Sequence, residues 1–448
     1  MLSDMKNRII GIAAAFIVII VFSVAQYESV LQQLTEDRVV LKEINSQNSS
    51  QNSKKNKTAD GELNAREIEK IKQENQGETD KSDTDSVTEE EGIKKSSLTA
   101  KAAALVDASN GRVLYEKNGY EELPMASTTK IMTCIIALEN ANLDDVVTIS
   151  KYAASMPDVQ LNAAAGEKFY LRDLLYSLML ESHNDVAVAI AEHVGGSVEC
   201  FAMMMNAKAK ELGCEHTNFV TPNGLDADGH YTTAVELSRI ASYAIENETF
   251  VKIINTPSWQ FSEINKGKGF SVNNKDRFLT IYNGAIGIKT GFTGKAGYCF
   301  VGAVQRNGKT FVSSVLGSGW PPHKNYKWSD TKSLMDYGVN NYEMQQVFYA
   351  DKQFDPVVVV KGKEKYANLY YEGEISLLMR EGEKVKVDYS LPSLIKAPIM
   401  CDTEVGTAKY YIGNDLIAEI PILTKNTVEE IDFTYCIDKL YSLWQCLK

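Results

Sequence analysis

The feature that most restricts the fold is the order of two kinds of pattern between Leu98 and residue 345. Strand-forming stretches stand at both ends, and helical periodicity fills the middle. Ala102-Ala103-Ala104-Leu105-Val106 and Arg112-Val113-Leu114-Tyr115 flank Asn110-Gly111, a favoured tight-turn dipeptide, and read as a hairpin. Ala285–Gly291, Gly297–Val304 and Thr310–Leu316 read as later strands, the last two joined by Asn307-Gly308. Helical stretches cover Leu171–Leu180, Val186–His193, Val198–Leu212 and Thr233–Ile245, and a helix near Tyr326–Tyr337 closes the segment. The early hairpin buries a face by joining the late strands. The pattern therefore predicts an α/β sandwich, an antiparallel sheet with helices packed on it.

After about Gln346 apolar and polar residues alternate, with turn signals at short intervals, as in Val357-Val358-Val359-Val360, Lys384-Val385-Lys386-Val387 and Leu416-Ile417-Ala418-Glu419-Ile420. Residues 346–430 read as a small all-β domain. The last stretch, 431–448, sets Phe433, Ile437, Leu440, Trp444 and Leu447 at helical spacing. Such an amphipathic helix either packs on its own domain or lies in a bilayer interface, the second favoured by Tyr441 and Trp444.

Ahead of the globular part, Ile9 to Ala25 is an unbroken apolar run preceded by Lys6 and Arg8. Ser23-Val24-Ala25 before Gln26 fits a signal-peptidase site, yet the run is also long enough to span a bilayer. Residues 1–28 are thus a cleaved signal or a retained anchor, with the basic flank inside and the rest exported. Residues 29–97 form a spacer. From Leu41 on it is polar and repetitive, has no aromatic residue, and cannot bury enough surface to offset the entropy of ordering.

Composition excludes several functions. Among 448 residues the net charge is -12, and no basic stripe interleaves with aromatics, so no nucleic-acid partner is expected. Seven scattered cysteines contain no Cys-x-x-Cys pair and read as buried or half-buried free thiols. Five dispersed histidines give no helical ligand pair, so no metal and no other cofactor is expected.

Chemistry concentrates in three short motifs. Ser127-Thr128-Thr129-Lys130 opens an apolar helical run, and positions i and i+3 share one helix face, so the Lys130 amine can sit beside the Ser127 hydroxyl. A serine hydroxyl becomes a nucleophile once a base takes its proton. The same spacing recurs at Ser3/Lys6, Ser329/Lys332 and Ser393/Lys396, where no chemistry is expected. Context separates them. Ser182-His183-Asn184 follows Ser127 in a break between two helices, so Ser182 and Asn184 can point into a cleft. Lys289-Thr290-Gly291 then ends a strand, where glycine lets a substrate approach the backbone. Ser-x-Asn also appears at Ser46 and Ser271 and carries little weight alone, whereas Lys-Thr-Gly occurs once. Without chemistry, Ser127 and Asn184 would be helix caps and Lys289 a solvated strand residue.

Ser-x-x-Lys, a Ser-x-Asn element and Lys-Thr-Gly in this order are shared by class A β-lactamases and penicillin-binding proteins. The segment from Leu98 onward resembles a D-alanyl-D-alanine carboxypeptidase, a low-molecular-mass penicillin-binding protein. Further matches are Gly166-Glu167, Asp173-Leu174-Leu175-Tyr176, Leu178-Met179-Leu180, Gly224-Leu225-Asp226 and His230-Tyr231-Thr232-Thr233-Ala234. The trailing β-domain and terminal amphipathic helix are also family traits, and the long spacer is a departure from them.

The resemblance implies a penicillin-binding-protein type of sandwich over 98–345 and a peptidoglycan pentapeptide as substrate, with β-lactams as covalent inhibitors. Ser127 would attack the terminal D-Ala-D-Ala bond, with Lys130 as base. For that the Lys130 pKa must fall from about 10.4 towards about 7–8, under burial and the charge of Lys289. Ser182 would relay a proton to the leaving amine. Asn184 would orient the substrate amide and hold Lys130. Lys289 and Thr290, beside Gly291, would bind the terminal carboxylate, and the backbone N–H groups of Ser127 and Phe292 would form an oxyanion hole. His183 would point away, His230 would support a loop, and Cys299 would be core. Two other readings remain, a β-lactamase, for which no convincing deacylating glutamate is seen, and a binder or sensor that acylates and stops. The setting implied is the outer face of the cytoplasmic membrane.

Overall fold

A computed structural model describes residues 97–446 apart from 158, 348–351, 353 and 373–374. The apolar run at Ile9–Ala25, most of the spacer, Ser3/Lys6, Ser46 and Leu447 lie outside the described residues.

The first hairpin forms from β1 (Ala102–Asp107) and β2 (Val113–Lys117). Its turn is longer than Asn110-Gly111 alone: Asp107 N–H donates to Arg112 O and Gly111 N–H to Asp107 O, so the loop spans Ala108 to Gly111. The reason lies in Asp107, whose carboxylate accepts from the Ser109 N–H and hydroxyl and from Asn110 Nδ2, an Asx-type turn that outcompetes the two-residue form. Two small antiparallel ribbons follow, β3 (Val146–Thr148) with β4 (Lys168–Tyr170), and β5 (Ser258–Ser262) with β6 (Gly269–Asn273). Then come β7 (Ala285–Thr293), β8 (Gly297–Arg306) and β9 (Lys309–Leu316). The Asn307-Gly308 turn between β8 and β9 is a two-residue one, both residues at positive φ.

These strands make one five-stranded sheet in the order β2-β1-β9-β8-β7, antiparallel throughout. The N-terminal hairpin thus docks on the last strand, as the pattern required. Every residue of β1 is buried, because both sheet faces are covered. Ala102, Ala104 and Val106 face a large helical core, while Ala103 and Leu105 face a second core with Phe300, Phe311, Trp328, Leu334 and Met335.

The helices of the large core are α1 (Lys130–Asn140), α2 (Lys151–Ala154), α3 (Leu171–Leu180), α4 (Asn184–Gly195), α5 (Val198–Glu211), α6 (Ala234–Ala244) and α7 (Glu248–Asn255). A short turn, α8 (Phe278–Ile281), packs on β7, and α9 (Tyr326–Asn341) covers the other sheet face. Helix α1 is buried from Lys130 to Ala137 without a break, as a helix enclosed on all sides must be. Helix α6 starts on a Thr233 side-chain cap and lies on the sheet through small residues, Ser238 Oγ donating to Ser314 Oγ at 2.8 Å.

The strand Tyr342–Gln346, directly after α9, pairs with Ser376–Arg380 and so belongs to the strand-rich C-terminal region. That region has a three-stranded and a four-stranded sheet around Tyr410, Ile412, Ile420 and Ile422. Arg112, just past the turn of the first hairpin, joins the two regions: Nη1 donates to Leu378 O at 3.0 Å and the guanidinium pairs with Glu383. Helix α10 (Phe433–Cys446) buries none of its residues, with Phe433 81% and Trp444 54% exposed. The helix touches its own domain through Tyr435, whose hydroxyl donates to Lys363 O at 3.2 Å, and leaves its apolar face uncovered. Cys134, Cys214 and Cys299 are buried, but Cys200, Cys401, Cys436 and Cys446 are exposed, which corrects the expectation that all the thiols are covered.

Candidate active site

The nucleophile candidate stands on the turn that feeds α1. Residues Ala126–Thr129 form one tight helical turn, and Lys130 opens α1 behind it. Ala126 has φ +50, a left-handed conformation that costs an alanine energy and presents the next residue at a sharp bend. Two contacts hold that bend. Gly224, at φ +81, comes so close that a Cβ there would lie 2.0 Å from Ala126 O. Gly291 of β7 lies against the same turn, where a Cβ would sit 2.9 Å from Ser127 N.

Lys130 is fully buried and its Nζ has three partners: Ser127 Oγ at 2.9 Å, Asn184 Oδ1 at 2.8 Å and Asn223 O at 2.5 Å. Asn184 opens α4, and its Nδ2 donates to Pro157 O at 3.1 Å, which fixes the amide with Oδ1 towards Lys130. Neither Asn184 Oδ1 nor Asn223 O can donate. A neutral Lys130 therefore spends its two N–H groups on them and turns its lone pair to the Ser127 hydroxyl. Burial holds the Lys130 pKa well below its ordinary value, the Lys289 ammonium lowers it further, and Asp185 opposes both. Burial is the larger cause.

Ser182 occupies the bend between α3 and α4 at φ +72, and its Oγ is buried with no hydrogen-bond partner. No direct bond joins it to Lys130 or Lys289. Lys289, buried on β7, donates to Thr290 O at 3.0 Å and is pushed down to about 7 by burial, with Asp276 opposing. Thr290 and Gly291 follow on the strand, and the Phe292 side chain is exposed, its ring 4.5 Å from that of Tyr298. Ser127, Lys130 and Asn184 are thus in direct contact, Gly291 abuts the Ser127 backbone, and Ser182 and Lys289 stand by without bonding to the pair.

His183 is turned into the interior, its Nδ1 2.7 Å from Ser177 Oγ, and burial lowers its pKa. His230 Nδ1 accepts the Val220 N–H at 3.0 Å, so its Nε2 carries the proton towards Thr129 Oγ1, 2.9 Å away. It ties the loop holding Asn223 to the nucleophile turn, and burial pushes its pKa down to about 4. Cys299 is buried opposite Gly291, and burial pushes its thiol up to about 12. Residues 223 and 157 went unrecognised in the sequence because they act through backbone carbonyls. The turn dipeptide Asn223-Gly224 is the one signal that could have drawn attention to the first.

A serine hydroxyl, a buried lysine and a Lys-Thr-Gly strand edge define a serine peptidase of the Ser-x-x-Lys type. Residues 87–319 match the D-alanyl-D-alanine carboxypeptidase family, and residues 342–430 match the C-terminal domain of penicillin-binding protein 5. The D-alanyl-D-alanine carboxypeptidase DacF of Bacillus subtilis is 32% identical, over 78% of this chain and 91% of its own. The solved structure of penicillin-binding protein 5 from Haemophilus influenzae superposes with a TM-score of 0.62 at 27% identity, covering 74% of this chain and 98% of that one. The Streptomyces K15 DD-transpeptidase superposes with a TM-score of 0.51 at 34% identity, covering 54% of this chain and 98% of that one. The chain belongs to the D-alanyl-D-alanine carboxypeptidases of the low-molecular-mass penicillin-binding-protein type.

Proposed function

We propose that the chain removes the terminal D-alanine from peptidoglycan stem peptides through an acyl-enzyme on Ser127. Ser127 Oγ attacks the carbonyl of the D-Ala-D-Ala bond while its proton passes to Lys130. The tetrahedral oxyanion is held by the backbone N–H groups of Ser127 and Phe292, at a helix start whose dipole favours negative charge. Ser182, with a free buried hydroxyl, relays a proton to the leaving amine. D-Alanine departs, and water then releases the shortened peptide. Asn184 orients the substrate amide, and Lys289 with Thr290, beside Gly291, takes the terminal carboxylate as a charge-assisted pair. A β-lactam enters the same path and stays bound to Ser127.

The observation that supports this reading best is the hydrogen-bond set of Lys130, whose two acceptor-only partners aim its lone pair at Ser127. The domain plan proposed with it is a signal or anchor at 1–28, a spacer at 29–97, the catalytic domain at 98–345, a β-domain at 346–430 and the amphipathic end at 431–448, with the boundary between the catalytic and β-domains drawn back to Tyr342 by the pairing of Tyr342–Gln346. The exposed apolar residues of α10, Phe433, Ile437, Tyr441 and Trp444, support a membrane contact at that end, which fits an exported enzyme on the outer face of the cytoplasmic membrane.

The test incubates the purified chain with a pentapeptide ending in D-Ala-D-Ala, measures released D-alanine, and maps any penicillin adduct by mass. Released D-alanine and an adduct on Ser127 are expected. An adduct without D-alanine release points to a sensor, rapid penicillin turnover points to a β-lactamase, and no adduct on Ser127 sinks the reading.

A further inference from the structure

One buried carboxylate beside the site has no part in the reaction just described. Asp276 sits in the turn before α8 and is 8% exposed. Its N–H donates to Asn274 Oδ1 at 2.9 Å, and its Oδ1 accepts the Phe278 N–H at 2.8 Å. An asparagine would serve that turn equally well, since only an acceptor oxygen is needed. The other oxygen, Oδ2, is buried with no hydrogen-bond partner. Burying a charge that the local turn does not require is costly unless an opposite charge lies near.

Two cations from other elements lie within its field, Lys289 on β7 and Lys327 on α9. Lys327 has partners of its own: Nζ donates to Lys324 O at 2.7 Å and lies 4.7 Å from the ring centres of Tyr298 and Trp328. Lys289 has a single neutral carbonyl, that of Thr290, and among the described residues no direct ion pair reaches it. Since α8 packs on β7, the turn that carries Asp276 lies next to the strand that carries Lys289.

We propose that Asp276 is a positioning residue of this active site, the buried counter-charge that keeps Lys289 an ammonium for the substrate carboxylate. The inference rests on the reading of Lys289 and Lys130 given above. Burial pushes Lys289 down to about 7 and Asp276 up to about 7, and each opposes the shift of the other. Removing the carboxylate leaves burial of Lys289 unopposed, so Lys289 loses its proton at lower pH. Wherever Lys289 keeps its proton, its ammonium and the opposing Asp185 act on Lys130 as before. His183 feels Lys130 and Lys289 along with Asp185 and Glu181, and its Nδ1 bonds to Ser177 Oγ.

The consequence is a one-sided shift. Acylation requires neutral Lys130 and cationic Lys289. In Asp276→Asn the alkaline limb of the pH profile moves down, while the acid limb, crossed with Lys289 still an ammonium, stays in place, so the active range narrows from the alkaline side. The full chain and its Asp276→Asn variant are compared for the second-order rate of Ser127 acylation by benzylpenicillin over about pH 5–10. KM and kcat for the D-Ala-D-Ala pentapeptide are measured alongside. Expected are the narrowed profile and a KM raised by about tenfold, with a smaller change in kcat at the optimum. Lys327→Met is expected to leave both limbs in place. Asp276→Ser, which keeps a turn acceptor, repeats the test should the asparagine variant melt early. An unmoved profile, or an equal loss at every pH, overturns the assignment while leaving the roles of Ser127 and Lys130 intact. Failure of the unaltered chain to form a Ser127 adduct overturns the underlying reading instead.

Discussion

Two serine–lysine pairs of identical spacing lie on helices of this molecule and differ in almost everything else. Ser127 and Lys130 stand at the buried start of α1, with Lys130 enclosed and its amine bonded to Ser127, Asn184 and the Asn223 carbonyl. Ser329 and Lys332 lie on the outer face of α9, both exposed. Helical spacing brings a hydroxyl and an amine to the same face in each case. Only the first amine is driven towards its neutral form, because desolvation penalises the ammonium and Lys289 adds to the penalty. Spacing offers a base. Burial makes one.

The comparison can be broken at its strongest point. Ser127→Ala should abolish the penicillin adduct, and Lys130→Ala should slow acylation by about 10²–10⁴-fold, read by time-resolved mass spectrometry. A Lys130→Ala chain that acylates at the original rate would remove the distinction between the two pairs. Next in size is the support of the bend. Gly224→Ala places a Cβ 2.0 Å from Ala126 O at a backbone φ of +81. The conformation alone should cost about 1–3 kcal/mol, seen as a lower Tm, with acylation falling as the turn shifts.

A smaller effect concerns pH. Burial lowers His230 from 6.5 to about 4, so the unfolded chain binds the proton that the folded chain refuses. The stability attached to neutral His230 is complete above pH 6.5 and is lost as the pH falls towards about 4, a change of up to about 3 kcal/mol. Urea midpoints of the original chain and of His230→Gln should diverge less at pH 4.5 than at pH 7, and parallel curves would discount the histidine. The smallest effect is the control. Ser329→Ala should leave acylation unchanged and stability within about 0.5 kcal/mol.

Much of the fold was legible because its signals are local. Strand text at both ends of the catalytic region, the Asn307-Gly308 turn and the apolar periodicity of α3, α5 and α6 each depend on neighbouring residues. The departures have local causes as well. The Asp107 carboxylate lengthened the first turn by capturing Ser109 and Asn110. The helix Glu248–Asn255, capped by the Asn247 side chain, and the ribbon that sets Phe261 and Phe270 against Phe169 had gone unread between stronger patterns. In the site, side chains with distinctive chemistry were recognisable, whereas the Pro157 and Asn223 carbonyls were not. Every residue but proline offers the same carbonyl and N–H pair, so no sequence marks which of them a cleft will use.

The sequence by itself determined which groups are available: a serine and a lysine on one helix face, a Ser-x-Asn bend and a single Lys-Thr-Gly. It also separated Ser127 from its decoys by order and setting. The tertiary structure alone decided what those groups are chemically. Enclosure of Lys130, the approach of Lys289 across a sheet edge, and a buried Asp276 on a neighbouring turn set charges that no stretch of sequence carries. A pKa is a property of the space around a group, and only folding creates that space.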